Sequence, residues 1–404
     1  MNVRPTRRLA VLDAPSNLGL RPPTPGSVPG CAKGPGALRD HQLVARLAAR
    51  DAGYLVPPRY DPGGWRPGDG VCQAVEIAEY TVKLANRIGE IIAMGELPLV
   101  LGGDCSLMLG SALALRRLRQ RDHRRYGMIY IDGHSDFRHP GNAEYIGAAA
   151  GEGLALATGR GQSDLTNIEG LRPYLREEDV VVLGIRDHDE YRMDLRTAGI
   201  VYRTVPLLRS EGPGRSAAWA LEQLGEVAGF WVHVDVDVLD PAAMPAVDAP
   251  DPGGIAFVEL EHLIAELVSQ PECLGMEVTV FDPDYDPDGR YAKEIADTLV
   301  NGLRPIWENV VHAPVSSAPT QSTPTETEPP PPVPAGPPAP PVPPLTLTPG
   351  WEVAIASASS GGAEPAGPEG ADTAPENTET QEPRGQESGH ADEGTVSSSA
   401  ESTP

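Results

Sequence analysis

Residues 126–137 read YGMIYIDGHSDF, a buried-strand pattern from Tyr126 to Ile131 that runs directly into Asp132, His134 and Asp136. Side chains two apart on a strand point to the same side, so these three project together if the extended conformation continues to Asp136. Two carboxylates and an imidazole in one small volume repel or sit poorly solvated unless a cation holds them. A second group stands at residues 231–241, WVHVDVDVLDP, where Asp235 and Asp237 share a face at the end of another apolar strand. Taken singly, either cluster reads as ordinary capping of a strand end. Together, in a chain of α/β pattern, they point to a metal site at the carboxyl edge of a sheet.

The flanking sequence supplies that pattern. Leu97 to Leu101 reads as a short buried strand entering GGDCS (102–106), and Ser106 to Leu118 as the helix that follows. In this strand, glycine turn and helix unit the turn would lie at the same sheet edge as Asp132. The turn matches neither the dinucleotide nor the phosphate-loop fingerprint. Earlier come a strand at Arg8 to Ala14 and a Pro/Gly-rich loop over 15–35, of a length that is usually functional or disordered. Helical periodicity covers Ala37 to Ala52 and then Gln73 to Met94, whose Ile77, Thr81, Leu84, Ile88 and Ile91 form one face. Later come strands at Val180 to Gly184, Gly199 to Tyr202 and Leu274 to Val280, the last containing Glu277. Helices are expected at Ser216 to Ala228, Phe257 to Val268 and Tyr291 to Leu303, the last stopped by Pro305. Alternating strands and helices imply a mainly parallel sheet covered on both faces.

The chain has 404 residues and a net charge of −25. An acidic balance argues against nucleic acid as a partner, which calls for a basic face. Of 44 prolines, 20 fall after His312, in a Pro/Ser/Thr/Glu-rich stretch with thirteen acidic residues and one basic residue, Arg384. Such composition buries too little apolar surface to offset its ordering entropy. The expected division is a folded domain over 1–312 and a disordered acidic tail over 313–404, with polyproline II favoured at Pro329 to Pro344. Leu9 to Leu12 is too short for a signal-peptide core, and no run approaches the roughly 20 apolar residues of a membrane helix. Four cysteines (Cys31, Cys72, Cys105, Cys273) do not form a disulfide framework in a chain this long, and a cytoplasmic location is expected.

GGDCS (102–106), DGHSD (132–136), GIRDHD (184–189), DVDVLDP (235–241), PDPGG (250–254) and Glu277, in that order, resemble the ureohydrolase family of arginases, agmatinases and formimidoylglutamases. The resemblance spans about residues 8 to 310. It implies a three-layer α/β/α domain with a two-manganese site at the strand ends. Carried over residue by residue, Asp132 and Asp235 bridge the metals, His134 and Asp237 complete one, and Asp136 with position 105 completes the other. The implied reaction is hydrolysis of a C–N bond in a guanidino or amidino compound, a linear amidine, by a metal-bridging hydroxide. Asp136 would accept a hydrogen bond from that hydroxide and move its proton. Glu277 would pair with the planar cation of a small-molecule substrate, and Asp187 and Asp189 would hold its far end. Trimeric or hexameric assembly is implied by the same resemblance.

Three positions depart from the family. The family's histidine in the first motif is Cys105 here, and a thiolate shifts preference toward zinc or iron. Cys105 is then a ligand of altered metal choice, a bystander beside a weakened or single-metal site, or a mark of lost catalysis. The loop after Asp136 lacks the family's shuttle histidine. His139 and Glu152 are the nearby candidates, each set against a plain surface-loop reading. His233 stands where relatives carry a small residue. It alternates with Asp235 and so reads either as a group behind the ligands or as a hydrogen-bonded core histidine. Acidic residues 282–289 imitate the start of a calcium loop, but Ile295 at position 12 and Pro287 inside the string exclude an EF-hand. The leading function is a metal-dependent ureohydrolase. The alternatives are a linear amide or formimino hydrolase with the same site, and a non-catalytic metabolite-binding paralogue.

Overall fold

Eight strands form one sheet in which every neighbouring pair is parallel. The computed structural model describes residues 7–24, 26–144 and 146–311, so the expectations for the 313–404 tail lie outside the described residues. The strands are β1 (Leu9–Ala14), β2 (Arg50–Tyr54), β3 (Leu97–Gly102), β4 (Tyr126–Ile131), β5 (Val180–Ile185), β6 (Val201–Thr204), β7 (Gly229–Asp235) and β8 (Cys273–Thr279). Their spatial order is β2-β1-β3-β8-β7-β4-β5-β6. The last of the described strands in sequence thus lies in the middle of the sheet.

The pleat sends alternate residues into two cores. On one face Leu99, Leu101, Ile129, Ile131, Val232 and Val234 meet Leu263 and Ile264 of the helix Phe257–Val268 and Ile295 and Leu299 of the helix Arg290–Gly302. On the other, Val100, Met128, Tyr130 and Trp231 meet Ile77, Leu84 and Ile88 of the helix Ala74–Ala93 and Leu109 and Leu113 of the helix Met108–Asp122. Central strands β3, β4 and β5 are buried along their whole length, as strands covered on both faces must be. The result is the expected three-layer α/β/α architecture.

The structure departs from the sequence reading at three places. Ala37 to Ala52 is not one helix: it holds two short helices, Gly34–Asp40 and Leu43–Arg46, and then the edge strand β2 begins. Gln42 and Ala48 take positive φ, which breaks the helical path twice. Pro305 does not close the fold. It stands in the first turn of a further helix, Arg304–Val311, where its missing N–H is no loss. The extended run also stops at Ile131 rather than reaching Asp136, whose φ of 45° turns the chain back.

Register carries the polar residues of the sheet's centre into one row. Tyr130 pairs with His233, and His233 with Glu277, so all three point to the face covered by the helix Met108–Asp122. One step further along, Asp235 pairs with Thr279 at the carboxyl edge.

Where the chain leaves β3, Gly103 presses against the segment that leaves β1. A Cβ on Gly103 would stand 1.6 Å from Ser16 O, and the peptide groups there are tied by Asp104 N to Ser16 O (3.1 Å) and Val280 N to Gly103 O (2.6 Å). Gly103→Ala is therefore expected to destabilise by about 3 kcal/mol or more, because backbone rather than a flexible side chain must yield. Thermal unfolding checks this, and a melting temperature within about 2 °C of wild type would contradict it.

Candidate metal centre

Three strand ends build the site. After β3, Asp104 caps the turn Cys105–Leu107 by accepting from Ser106 N (2.9 Å) and from Ser16 Oγ (2.8 Å), which seats Cys105 in the interior. After β4, Asp132 Oδ1 accepts His134 N at 2.6 Å, a tight turn in place of the extended run. Asp136, in its left-handed conformation, directs Oδ2 back to Tyr130 Oη at 2.6 Å. After β7, Asp235 Oδ1 accepts Asp237 N at 2.7 Å. Asp237 then receives His134 Nδ1 at 2.9 Å and Gly133 N at 3.2 Å. Cys105 Sγ donates to Asp235 Oδ2 and lies 3.1 Å from Thr279 Oγ1. The chemistry-bearing residues of three separate segments thus converge, by turns rather than by strand alternation.

The electrostatics of this convergence are those of a cation site. Burial, and then the neighbouring Asp136, Asp237 and Asp235, push the Asp132 carboxyl well above the usual range. Burial and Asp237 do the same to Asp235. The Cys105 thiol is driven up by burial and by Asp235, Asp136 and Asp132. Burial likewise raises Asp136, to about 6, against the opposing Tyr130 hydrogen bond and His134 charge. Asp237 behaves otherwise: burial works to raise it, but His134 and Arg186 hold it below the ordinary value, while His134 is raised to about 10 chiefly by Asp237. Two groups have ligand atoms within 4.8 Å of one another: Asp132, His134 and Asp237, and separately Cys105, Asp132 and His233. Asp132 Oδ2 is buried without a hydrogen-bond partner. A divalent cation reverses the sign of each upward push, since it favours carboxylate and thiolate over their protonated forms. The donor set fits such an ion.

The site opens into a cleft of about 570 Å³. Cys105, His134, Asp136, Asp235 and Asp237 line it, with Asp189, Glu190, Asp248 and Asp251 further out. Seven carboxylates against two arginines, Arg21 and Arg138, give it an acidic mouth. Asp189 lines the cleft but spends Oδ2 on Ser135 N (3.0 Å) and Ser135 Oγ (3.1 Å), clamping the turn after β4. Asp187 does not line it; its side chain is 57% exposed and pairs with Arg192. Glu277 is not at the cleft either: it is fully buried and accepts from His233 Nδ1 (2.8 Å) and Ser111 Oγ (3.0 Å). Neither candidate replacement for the shuttle histidine reaches the cleft lining. His139 accepts Gly141 N, and Glu152 accepts Gly147 N and Ala148 N.

Sequence reasoning passed over three groups. Tyr130 read as a core aromatic, yet its hydroxyl holds Asp136 and its ring stacks on His233, centroids 4.3 Å apart and planes 6° apart. His188 lines the cleft with Nε2 2.8 Å from Asp251 Oδ2. Both belong to motifs already singled out, GIRDHD and PDPGG, but their meeting depends on loops that no local pattern positions. The third is Arg186, buried to 1% exposure, which donates to the carbonyls of Asp237, Val238, Leu239 and Asp251.

A sequence model of the arginase family matches residues 9–303. The chain belongs to the arginase family. Its relatives include an arginase of Brevibacillus brevis, 29% identical over 305 residues that cover 74% of this chain and 97% of that protein. A formimidoylglutamase of Chromobacterium violaceum is 29% identical over 267 residues, covering 66% of this chain and 78% of that protein. Among solved structures, the arginase of Bacillus caldovelox superposes with a TM-score of 0.64 at 25% identity, covering 73% of this chain and 97% of that one. Arginase-family membership agrees with the eight-stranded parallel sheet and with the order of the motifs along it. Among the described residues no helix is long and apolar enough to cross a membrane.

Proposed function

We propose that this arginase-family protein is a metal-dependent hydrolase of C–N bonds in a small cationic guanidino or amidino compound. The observation that carries the reading is the gathering of Cys105, His134, Asp136, Asp235 and Asp237 on an acidic cleft at the carboxyl ends of β3, β4 and β7, with Asp132 buried behind them. Asp132, His134, Asp235, Asp237, Asp136 and Cys105 are the residues that would hold divalent cations. Manganese is the family expectation, and Cys105 favours zinc or iron. Bound there, such ions lower the pKa of water and polarise the carbon under attack.

The chain's own groups supply the rest. Asp136, held by Tyr130 Oη at 2.6 Å, is the carboxylate placed to take and pass on a proton. His188, paired with Asp251, is a second imidazole at the cleft beside His134. Acidic residues around the mouth draw in a cation and disfavour an anion. A linear amide or formimino hydrolase is the second reading, favoured by one observation: Glu277, which would pair with a guanidinium, is already engaged by His233 and Ser111.

The test is a screen of the full chain, reconstituted separately with manganese, zinc and iron, against guanidino, amidino, formimino and amide compounds. Urea, ammonia or amine release is followed. Metal-dependent turnover of a guanidino or amidino compound is the expected result. Turnover of formimino or amide compounds alone would select the second reading. Metal-replete protein that turns over none of them would make it a binding paralogue.

A further inference from the structure

His233 is the residue the family comparison leaves unexplained, and its surroundings are those of a ligand. It lies in the middle of the row Tyr130, His233, Glu277, one strand position pair below Asp132 and Asp235 on the same face. Its ring is held on two sides: Nδ1 sits 2.8 Å from Glu277 Oε1, and the Tyr130 ring stacks in parallel at 4.3 Å. Glu277 is itself fixed by Ser111 Oγ at 3.0 Å. What remains is Nε2, fully buried and without a hydrogen-bond partner. A histidine that merely fills a core satisfies both nitrogens, because a buried unpaired one costs free energy.

Donor atoms of two further buried residues lie beside the ring. Ligand atoms of His233, Cys105 and Asp132 lie within 4.8 Å of one another, all three residues are buried, and Asp132 Oδ2 also has no partner. With Nδ1 engaged by Glu277, Nε2 is the ring nitrogen left available to a ligand. This carboxylate–imidazole pairing orients histidine ligands in metal sites generally. Sulfur, imidazole and one carboxylate are a donor set that prefers zinc, cobalt or iron(II) to manganese.

We propose that His233 is a metal ligand of this chain: Cys105, His233 and Asp132 hold a thiophilic divalent cation below the Asp132–His134–Asp237 group, and Glu277 orients His233 rather than meeting substrate. The imidazole missing at position 105 is supplied from the next strand but one. The inference rests on the reading that the site holds metal and is independent of the substrate.

Zinc and cobalt(II) are the probes, bound to the full chain. X-ray absorption at the metal edge of the wild type should show one sulfur at about 2.3 Å together with imidazole scattering. The cobalt form should show thiolate charge-transfer absorption that disappears in Cys105→Ser and weakens or shifts in His233→Gln. Affinity for the sulfur-bound ion should fall by more than about 100-fold in His233→Gln and by about 10- to 100-fold in Glu277→Gln. An ion bound without sulfur, or affinity and cobalt spectrum unchanged in His233→Gln, would overturn the assignment while leaving a metal-dependent hydrolase intact. Wild type that binds neither probe would overturn both. If His233→Gln fails to fold, the edge spectrum of His134→Gln keeps the assignment testable: imidazole scattering that persists at the sulfur-bound ion supports His233, and its loss overturns the assignment.

Discussion

Asp235→Ala is expected to abolish metal retention and to reduce any metal-dependent turnover by more than about 1,000-fold, a loss of some 4 kcal/mol in the transition state. Asp235 is buried at the end of β7 and touches both halves of the site: Oδ2 meets Cys105 Sγ, and Oδ1 accepts Asp237 N. On the reading proposed above Asp235 is also one of the residues that would hold the cations, so its removal would take away a donor and release both Cys105 and Asp237 from their hydrogen bonds. The metal-free fold should not suffer in proportion. Alanine loses a turn-capping bond of about 1 kcal/mol, but it also removes a carboxylate crowded against Asp132, Asp136 and Asp237, and the two effects offset. The sharp signature is therefore in linkage. Metal at 100 times its Kd stabilises the wild type by about 2.7 kcal/mol, and the variant should gain nothing. Elemental analysis with thermal scans, with and without metal, reads both. Wild-type metal content in the variant would remove Asp235 from the site.

Arg186→Met should produce the largest loss of stability of any single polar substitution near the site, about 3 to 5 kcal/mol. Arg186 is an interior cation with no carboxylate bonded to it. Its guanidinium is spread over carbonyls of Asp237, Val238, Leu239 and Asp251, all 3.2 Å or closer. Methionine fills much of the volume and pairs with none of them, so the carbonyls of Asp237, Leu239 and Asp251 lose this partner, while Val238 O keeps its bond from Ile255 N. Gly133 is part of the same arrangement, since a Cβ there would come within 2.7 Å of Arg186 Nη1. The substitution should also loosen metal binding, because the anchored backbone is that of Asp237 itself. Thermal unfolding is expected to drop by about 10 °C. A variant melting within about 2 °C of wild type would show that the carbonyls find other partners.

Much of this was legible in the sequence. Fully buried parallel strands are continuous apolar runs, so β3, β4, β5 and β7 stand out, and their acidic ends mark the site. β2 did not, because an edge strand with Ala52 as its one buried residue has no apolar run to read. The split of the 37–52 segment was hidden because Gln42 and Ala48 take positive φ, which neither residue type advertises. In the site, counting alternate residues grouped Asp132, His134 and Asp136, and Asp235 with Asp237, but turns after Ile131 and Asp235 rather than extended chain bring them together. Pairs on different strands could not be found by counting: His233 and Glu277 meet because β7 lies beside β8 in the sheet, a fact of topology. Arg186 was illegible for another reason, since a lone arginine after an apolar strand reads as the first solvated residue.

The position of β8 bears on how the protein is made. Among the described strands this one is the last to leave the ribosome, yet it is the seam between β3 on one side and β7 on the other. Until Cys273–Thr279 has been synthesised, the amino-terminal strands and the β4–β7 group have no shared ladder, and Cys105 has no fixed distance to Asp235. Nascent chains shorter than this are open at the sheet's centre, presenting two unpaired inner edges of highly apolar strands. Any metal capture at this site would consequently await completion of the sheet, and truncation before residue 279 should yield aggregating, metal-free product rather than a smaller working domain.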